Sequence, residues 1–218
     1  MAIENLTLAP FYSDNRNPFN YAKIEQVSRD LSTAWLTLDE ITQQLNLFED
    51  ESQDGYLQSL EVAVRMAIED YLGVSLFSTQ YRTYYANPGL SSSAIYLDLP
   101  EASPGSSGVT INSVAYYTGV TTSTRNILDS SNYFYDQTGN RVVLNSIPSN
   151  LNQNMANPVE CVFTVNANLI AQYPVVKQAG LLLFTHLYNN RSDTTVDKLK
   201  EIPFGVKSLL RLYKPLVM

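Results

Sequence analysis

The sequence has little of what catalytic and metal sites are usually built from. Of its 218 residues, one is cysteine, Cys161, and one is histidine, His186. A single cysteine excludes an internal disulfide and any zinc or iron–sulfur site made of several thiolates. A single histidine excludes His-rich metal sites and any mechanism that needs two imidazoles. Charge is scarce too, at 16% of residues against a usual ~25%. No long apolar run is present: the longest purely apolar block, Leu181 to Phe184, falls far below the ~18–20 residues of a membrane span. Met1-Ala2-Ile3-Glu4 has neither a basic flank nor an apolar core, so no signal peptide is expected, and synthesis in a reducing cytosol is the simplest reading.

What is abundant is neutral and polar. There are 15 tyrosines, with many Ser, Thr and Asn. Such a surface is cheap to desolvate in assembly. The length suffices for one sizeable domain, or one domain with an inserted lobe. The formal net charge of −7 argues against wrapping DNA or binding anionic lipid. That charge is unevenly spread: −9 over residues 1–72, −2 over 73–168 and +4 over 169–218. A chain acidic at one end and basic at the other can bind itself head to tail.

Residues 1–36 read as an arm punctuated by Asn and Pro, with a short strand from Tyr21, and such a segment is expected to lie on a neighbour. Thr37-Leu-Asp-Glu40 is a capping box, and Leu38, Ile41 and Leu45 follow at helical spacing. A second helix from about Asp54 puts Leu57, Leu60, Val64, Ile68 and Tyr71 on one stripe and stops at Gly73. Strand signals then recur at Phe77–Tyr85, Ala94–Leu99, Val109–Tyr117, Tyr133–Tyr135, Val142–Ile147 and Val159–Val165. Gln137-Thr-Gly-Asn140 predicts a hairpin with Gly139 at positive φ. Helical pattern returns at Tyr173 with Pro174 as first residue, and it is apolar around almost its whole circumference, so it must be covered on all sides. A short helix spans about Gly205 to Leu212, with a tail after it. The expected fold is α+β: a helical bundle from residues 37–73 and 169–213, an inserted antiparallel β-lobe over 74–168 (a sandwich or small barrel), the arm at 1–36 and a tail at 214–218.

No motif carries chemistry. His186 lies on the most apolar helix without a triad signature, and Cys161 sits in a strand as a structural thiol. Glu49-Asp50-Glu51 with Asp54 lacks the alternating ligands of a calcium loop. Pro104-Gly-Ser-Ser-Gly108 has no following Lys and leads into a strand, so it is no phosphate loop. Tyr84-Tyr85 and Tyr116-Tyr117 each place one ring on either side of a strand, for packing or for stacking a ligand. No cofactor, metal or catalytic residue is expected.

The late segment carries a resemblance. Val175-Val-Lys-Gln-Ala179, His186-Leu-Tyr-Asn-Asn-Arg191, Ile202-Pro-Phe-Gly-Val206 and Leu209-Leu210 with Tyr213 resemble the phage head–tail connector (adaptor) family. Residues 36–80 look like that family's paired opening helices, and the β insertion matches in kind only. Lys214, where the family often has Arg, and the long arm depart from its pattern.

The resemblance implies a non-enzymatic virion protein of the neck. It would form a ring, usually of twelve, under the portal and extend the channel for double-stranded DNA toward a downstream tail or stopper (nozzle) protein. With that reading, Lys207, Arg211 and Lys214 are expected to steer an encounter with the portal, and Tyr213, Leu216, Val217 and Met218 to dock on it as an added strand. Subunit contacts would set Glu49, Asp50 and Glu51 against the basic end, Arg191 included. The rival reading is a β-sandwich binding module of carbohydrate-binding or adhesin type on a helical base, using the exposed tyrosines.

Overall fold

The computed structural model describes residues 20–47, 51–86, 95–100, 108–146, 148–191 and 204–214. Its strands are β1 (Tyr21–Arg29), β2 (Thr79–Tyr85), β3 (Ile95–Asp98), β4 (Val109–Thr118), β5 (Thr124–Ile127), β6 (Tyr133–Asp136), β7 (Arg141–Leu144) and β8 (Val159–Val165). Its helices are α1 (Leu38–Leu45), α2 (Asp54–Leu72), α3 (Pro174–Asn189) and α4 (Phe204–Leu210). The fold is α+β, with one sheet in the order β1-β2-β8-β4-β5 and a second in the order β3-β7-β6. The chain divides into two compact units, Met1–Glu25, Arg82–Pro100 and Ile111–Val162 in one, Gln26–Tyr81, Glu101–Thr110 and Phe163–Met218 in the other.

The second unit holds the helices. Their ends follow local rules. The Thr37 hydroxyl accepts from the Glu40 N–H at 3.2 Å and the Glu40 carboxylate accepts from the Thr37 N–H at 2.9 Å, closing the capping box. Gly73 ends α2 at φ 71, with its N–H on the Glu69 carbonyl at 2.8 Å. Pro174 opens α3. The core joins both ends of the chain: Ile41, Leu57, Val64 and Ile68 from the early helices meet Val176, Ala179, Leu183 and Phe184 of α3 and Val206 and Leu210 of α4.

Two expectations change here. Residues 26–36, read as arm, enter this unit, and Trp35 and Leu36 are buried in its core. Among the described residues helix α3 is not covered all round: it packs on α1, α2 and α4, while Val175 and Leu182 are each 39% exposed.

Helix α2 also buries a charged stripe. Glu61, Arg65 and Glu69 recur every four residues, one turn apart, and each is at most 3% exposed. Glu61 accepts from the backbone N–H groups of Trp35 (2.9 Å) and Leu36 (3.3 Å). Arg65 donates to the carbonyls of Thr33 (2.6 Å) and Asp30 (2.8 Å) and lies over the Phe77 ring. Glu69 accepts from the N–H groups of Leu76 and Phe77 and faces Arg29 at 3.3 Å. Burial pushes the Glu69 carboxyl above its ordinary range, against those N–H donors and Arg29, which pull it down. The stripe thus fastens the chain before α1 and the chain after α2 to one helix.

The first unit holds the sheet β3-β7-β6, all antiparallel, with Leu97 opposite Val142 and Tyr135 opposite the same residue on the other side. The sheets are separate and do not close into a barrel. In the turn between β6 and β7 the left-handed residue is Asn140, at φ 49, not Gly139. Asp136 sets that turn: its carboxylate accepts from Thr138 N–H, Thr138 Oγ1 and Gly139 N–H and pairs with Arg141 at 3.0 Å. Strand β5, which carries only one apolar residue, Ile127, gave no strand signal in the sequence; it pairs with β4 from Thr118 opposite Thr124 to Ala115 opposite Ile127.

Candidate assembly surfaces

The residues singled out for assembly fall in three places. Glu49, Asp50, Leu216, Val217 and Met218 lie outside the described residues. Glu51 is exposed on the short 3₁₀ turn that precedes α2. Arg191, just past α3, stacks between the rings of Tyr56 and Tyr188, at 4.6 and 4.4 Å, and donates to the Gln53 side-chain carbonyl at 2.7 Å. It makes no ion pair with Glu51. The fold therefore brings Arg191 to the start of α2 but spends its planar face on two tyrosines of its own chain.

The basic C-terminal residues are held against the bundle up to Lys214. Tyr213 meets Tyr173 edge to face at 5.6 Å, and the Lys214 ammonium lies 5.2 Å over the Tyr71 ring. Lys207 sits on α4, where its carbonyl faces the Tyr71 hydroxyl at 3.5 Å. Arg211 is exposed on the turn after α4, and its neighbour Leu212 is 88% exposed. Leu212 is thus an apolar side chain turned to solvent between Arg211 and, two residues on, Lys214.

A second surface crosses the first unit's part of the large sheet. Glu160 on β8, 1% exposed, accepts from the Tyr117 hydroxyl at 2.9 Å and from Arg125 Nε at 2.6 Å. Burial, and the hydrogen bond to Glu160 after it, raise the Tyr117 phenol. Glu25 on β1 accepts from the Tyr84 hydroxyl at 2.9 Å and from Lys23, and the Lys23 hydrogen bond is the largest influence holding its carboxyl below the ordinary range. Lys23, Tyr84, Tyr117, Met155 and Asn157 line a shallow cleft of about 360 Å³. Tyr85 is buried while Tyr84 is half-exposed, as the alternation along a strand requires; Tyr116 and Tyr117 are both half-buried. Sequence reasoning placed the tyrosines but missed Glu25, Glu160 and Arg125, because the order of strands that joins them is not written in any one strand.

His186 is half-buried on α3, and its carbonyl accepts from the side chain and backbone N–H of Asn190. Cys161 is buried, and burial pushes its thiol far up, which keeps it protonated. Among the described residues no group of three His, Cys, Asp or Glu side chains is arranged to hold a metal ion, and no helix is long and apolar enough to cross a membrane.

No protein-family model matches the sequence, and no curated protein matches it. Solved structures do. A chain from the neck of an empty gene transfer agent (GTA) particle, computed with C6 symmetry, is 22% identical with a TM-score of 0.58, over 90% of this chain and 97% of that one. A chain from the virion of the native gene transfer agent particle is 20% identical with a TM-score of 0.57, over 89% and 96%. A chain from the neck of the native particle, computed with C12 symmetry, is 20% identical with a TM-score of 0.53, over 90% and 97%. The chain thus shares, nearly end to end, the fold of chains found in these particles.

Proposed function

We propose that this chain is a structural, non-catalytic protein of a virion neck: a head–tail adaptor that assembles as a ring of twelve beneath the portal and continues the DNA channel toward a tail or stopper protein. The observation that carries the reading is the end-to-end fold match to chains of GTA necks, one of them computed with C12 symmetry. It spans the helical ends and the strands between them, rather than a single common motif. The low charge and Tyr-rich composition suit a protein buried among partners, and the net charge of −7 lets double-stranded DNA pass without specific binding. Synthesis falls in the host cytoplasm and residence in the virion neck, with no membrane and no cofactor involved.

Within that role the portal contact belongs to Lys207, Arg211, Tyr213 and Lys214 with Leu216, Val217 and Met218. The exposed Leu212 supports this assignment, since it offers an apolar contact beside Arg211 in the same segment. In this reading residues 37–73 and 169–213 form the helical bundle and residues 74–168 the β lobe.

Negative-stain imaging of the chain mixed with a purified portal tests the reading. Expected is a second ring on one face of the portal, absent from portal alone. A chain that stays monomeric beside the portal, and is instead retained on a glycan resin, overturns it in favour of a sugar-binding module.

A further inference from the structure

The last described turn of the chain is pinned by the helical unit. Val206 and Leu210 are buried in the core, and Tyr213, three residues on, packs against the same core. Tyr213 also meets the Tyr173 ring edge to face. The Lys214 ammonium lies over the ring of Tyr71, whose hydroxyl faces the Lys207 carbonyl. With that stripe held inward, the same spacing sends Gly205, Ser208 and Leu212 outward. Two of these are small. The third is a leucine, 88% exposed, which leaves nearly all its apolar surface in water.

The electrostatics around this leucine have one sign. Arg211 beside it is exposed and pairs with no described carboxylate. Residues 169–191 and 204–214, which carry α3, α4 and the turn, contain no Asp or Glu. Two of the cations there are already engaged within the chain: Lys177 by Glu40 at 2.7 Å and Arg191 by Tyr56 and Tyr188. The turn therefore offers one apolar knob beside an uncompensated cation. The surface that fits it is a small apolar socket edged by carboxylates.

We infer that Tyr71 and Tyr173 are positioning residues for portal binding: by holding Lys214 and Tyr213 they fix the Arg211–Tyr213 turn so that Leu212 enters such a socket on the portal. The inference rests on the portal reading and adds to it a preformed knob and two residues that act through their own chain. A turn already ordered loses less freedom on binding than a free segment does. Arg211 steers the encounter, and Leu212 supplies the apolar contact once the two surfaces meet.

The experiment measures binding of the full chain to immobilised portal, with the melting temperature of each variant alongside. Leu212→Ser is expected to keep the melting temperature and to bind at least about tenfold more weakly. Tyr173→Ala and Tyr71→Leu are expected to weaken binding at least about fivefold. Tyr173→Phe keeps the edge-to-face contact and Tyr71→Phe keeps a ring under Lys214, so both are expected to stay within about twofold of the native chain. Leu212→Ser and Tyr173→Ala, at exposed sites, decide the matter should Tyr71→Leu fail to fold. Undiminished binding by Leu212→Ser or by Tyr173→Ala, or phenylalanine variants as weak as the alanine and leucine ones, overturns the preformed knob and leaves the portal reading standing. A Leu212→Ser chain that binds portal normally yet completes no ring also overturns it, and gives the leucine to a neighbouring copy instead. A native chain that does not bind portal overturns the portal reading, and the knob with it.

Discussion

Replacing Gly180 by alanine sets two opposed effects against each other, and the structure decides between them. In an exposed helix the change gains ~1 kcal/mol of helix propensity. In α3 a Cβ at this position would lie 2.6 Å from Trp35 Cη2 and 2.7 Å from Cζ3, closer than real Cβ atoms come to any neighbour. Trp35 cannot easily yield. It is 4% exposed, its indole N–H donates to the Ala171 carbonyl at 2.8 Å, and its backbone N–H is held by Glu61 at 2.9 Å. Overpacking of this kind costs ~1–3 kcal/mol, and tearing the indole from its acceptor adds ~1 kcal/mol. The clash therefore wins, leaving Gly180→Ala less stable by ~1–3 kcal/mol, with roughly 2–4 °C lost from Tm per kcal/mol. Urea unfolding followed by tryptophan fluorescence reads this directly, since Trp35 is the only tryptophan. Trp35→Phe removes the two ring atoms that clash and the only tryptophan, so the cycle is followed by far-UV circular dichroism in urea; in the double variant the alanine should cost at least ~1 kcal/mol less than it does alone. If Gly180→Ala matches or exceeds the native chain in stability with unaltered Trp35 emission, or if the two substitutions simply add, the packing argument is wrong.

Glu160→Gln keeps the shape of the side chain but removes the buried charge facing Arg125 and Tyr117; because Arg125 is more than a third exposed and can turn to water, the loss should be ~1–3 kcal/mol in urea unfolding. The Asp136 carboxyl is lowered to about 2, first by the Thr138 hydroxyl, so it contributes stability above the ordinary carboxylate range that is lost as pH falls through about 2. A carbon-detected titration should place its midpoint there, and Asp136→Asn should flatten the acid limb of the stability curve; a midpoint near 4 refutes the turn geometry. Deleting residues 214–218 should leave the melting temperature nearly unchanged and abolish portal binding, and a truncated chain that binds normally removes the docking assignment. Ring formation on the portal should weaken as salt rises, because contacts between the acidic and basic parts of neighbouring copies are partly exposed and screened beyond ~8–10 Å; indifference to ionic strength counts against them.

The sequence alone determined what depends on neighbours within a turn of chain. Thr37 and Glu40 cap α1, Gly73 stops α2 and Pro174 starts α3, because each of those interactions reaches three or four residues. Local composition, in runs of aromatic and β-branched residues, marked β2, β4 and β8 for the same reason. It also made α3 a helix that wants cover on every side, a demand the single chain does not meet at Val175 and Leu182. Tertiary structure decided everything that depends on which distant segments meet. Glu61, Arg65 and Glu69 look like the solvent face of an amphipathic helix until the loops at 30–36 and 76–77 close over them. Lys177 finds Glu40 at 2.7 Å across 137 residues of sequence, and Glu160 finds Arg125 only because β8 and β5 flank β4. Strand order is fixed by how the chain crosses over, and hydrophobic periodicity is blind to it: a pattern says which face of a strand is buried, never which strand is left without a neighbour.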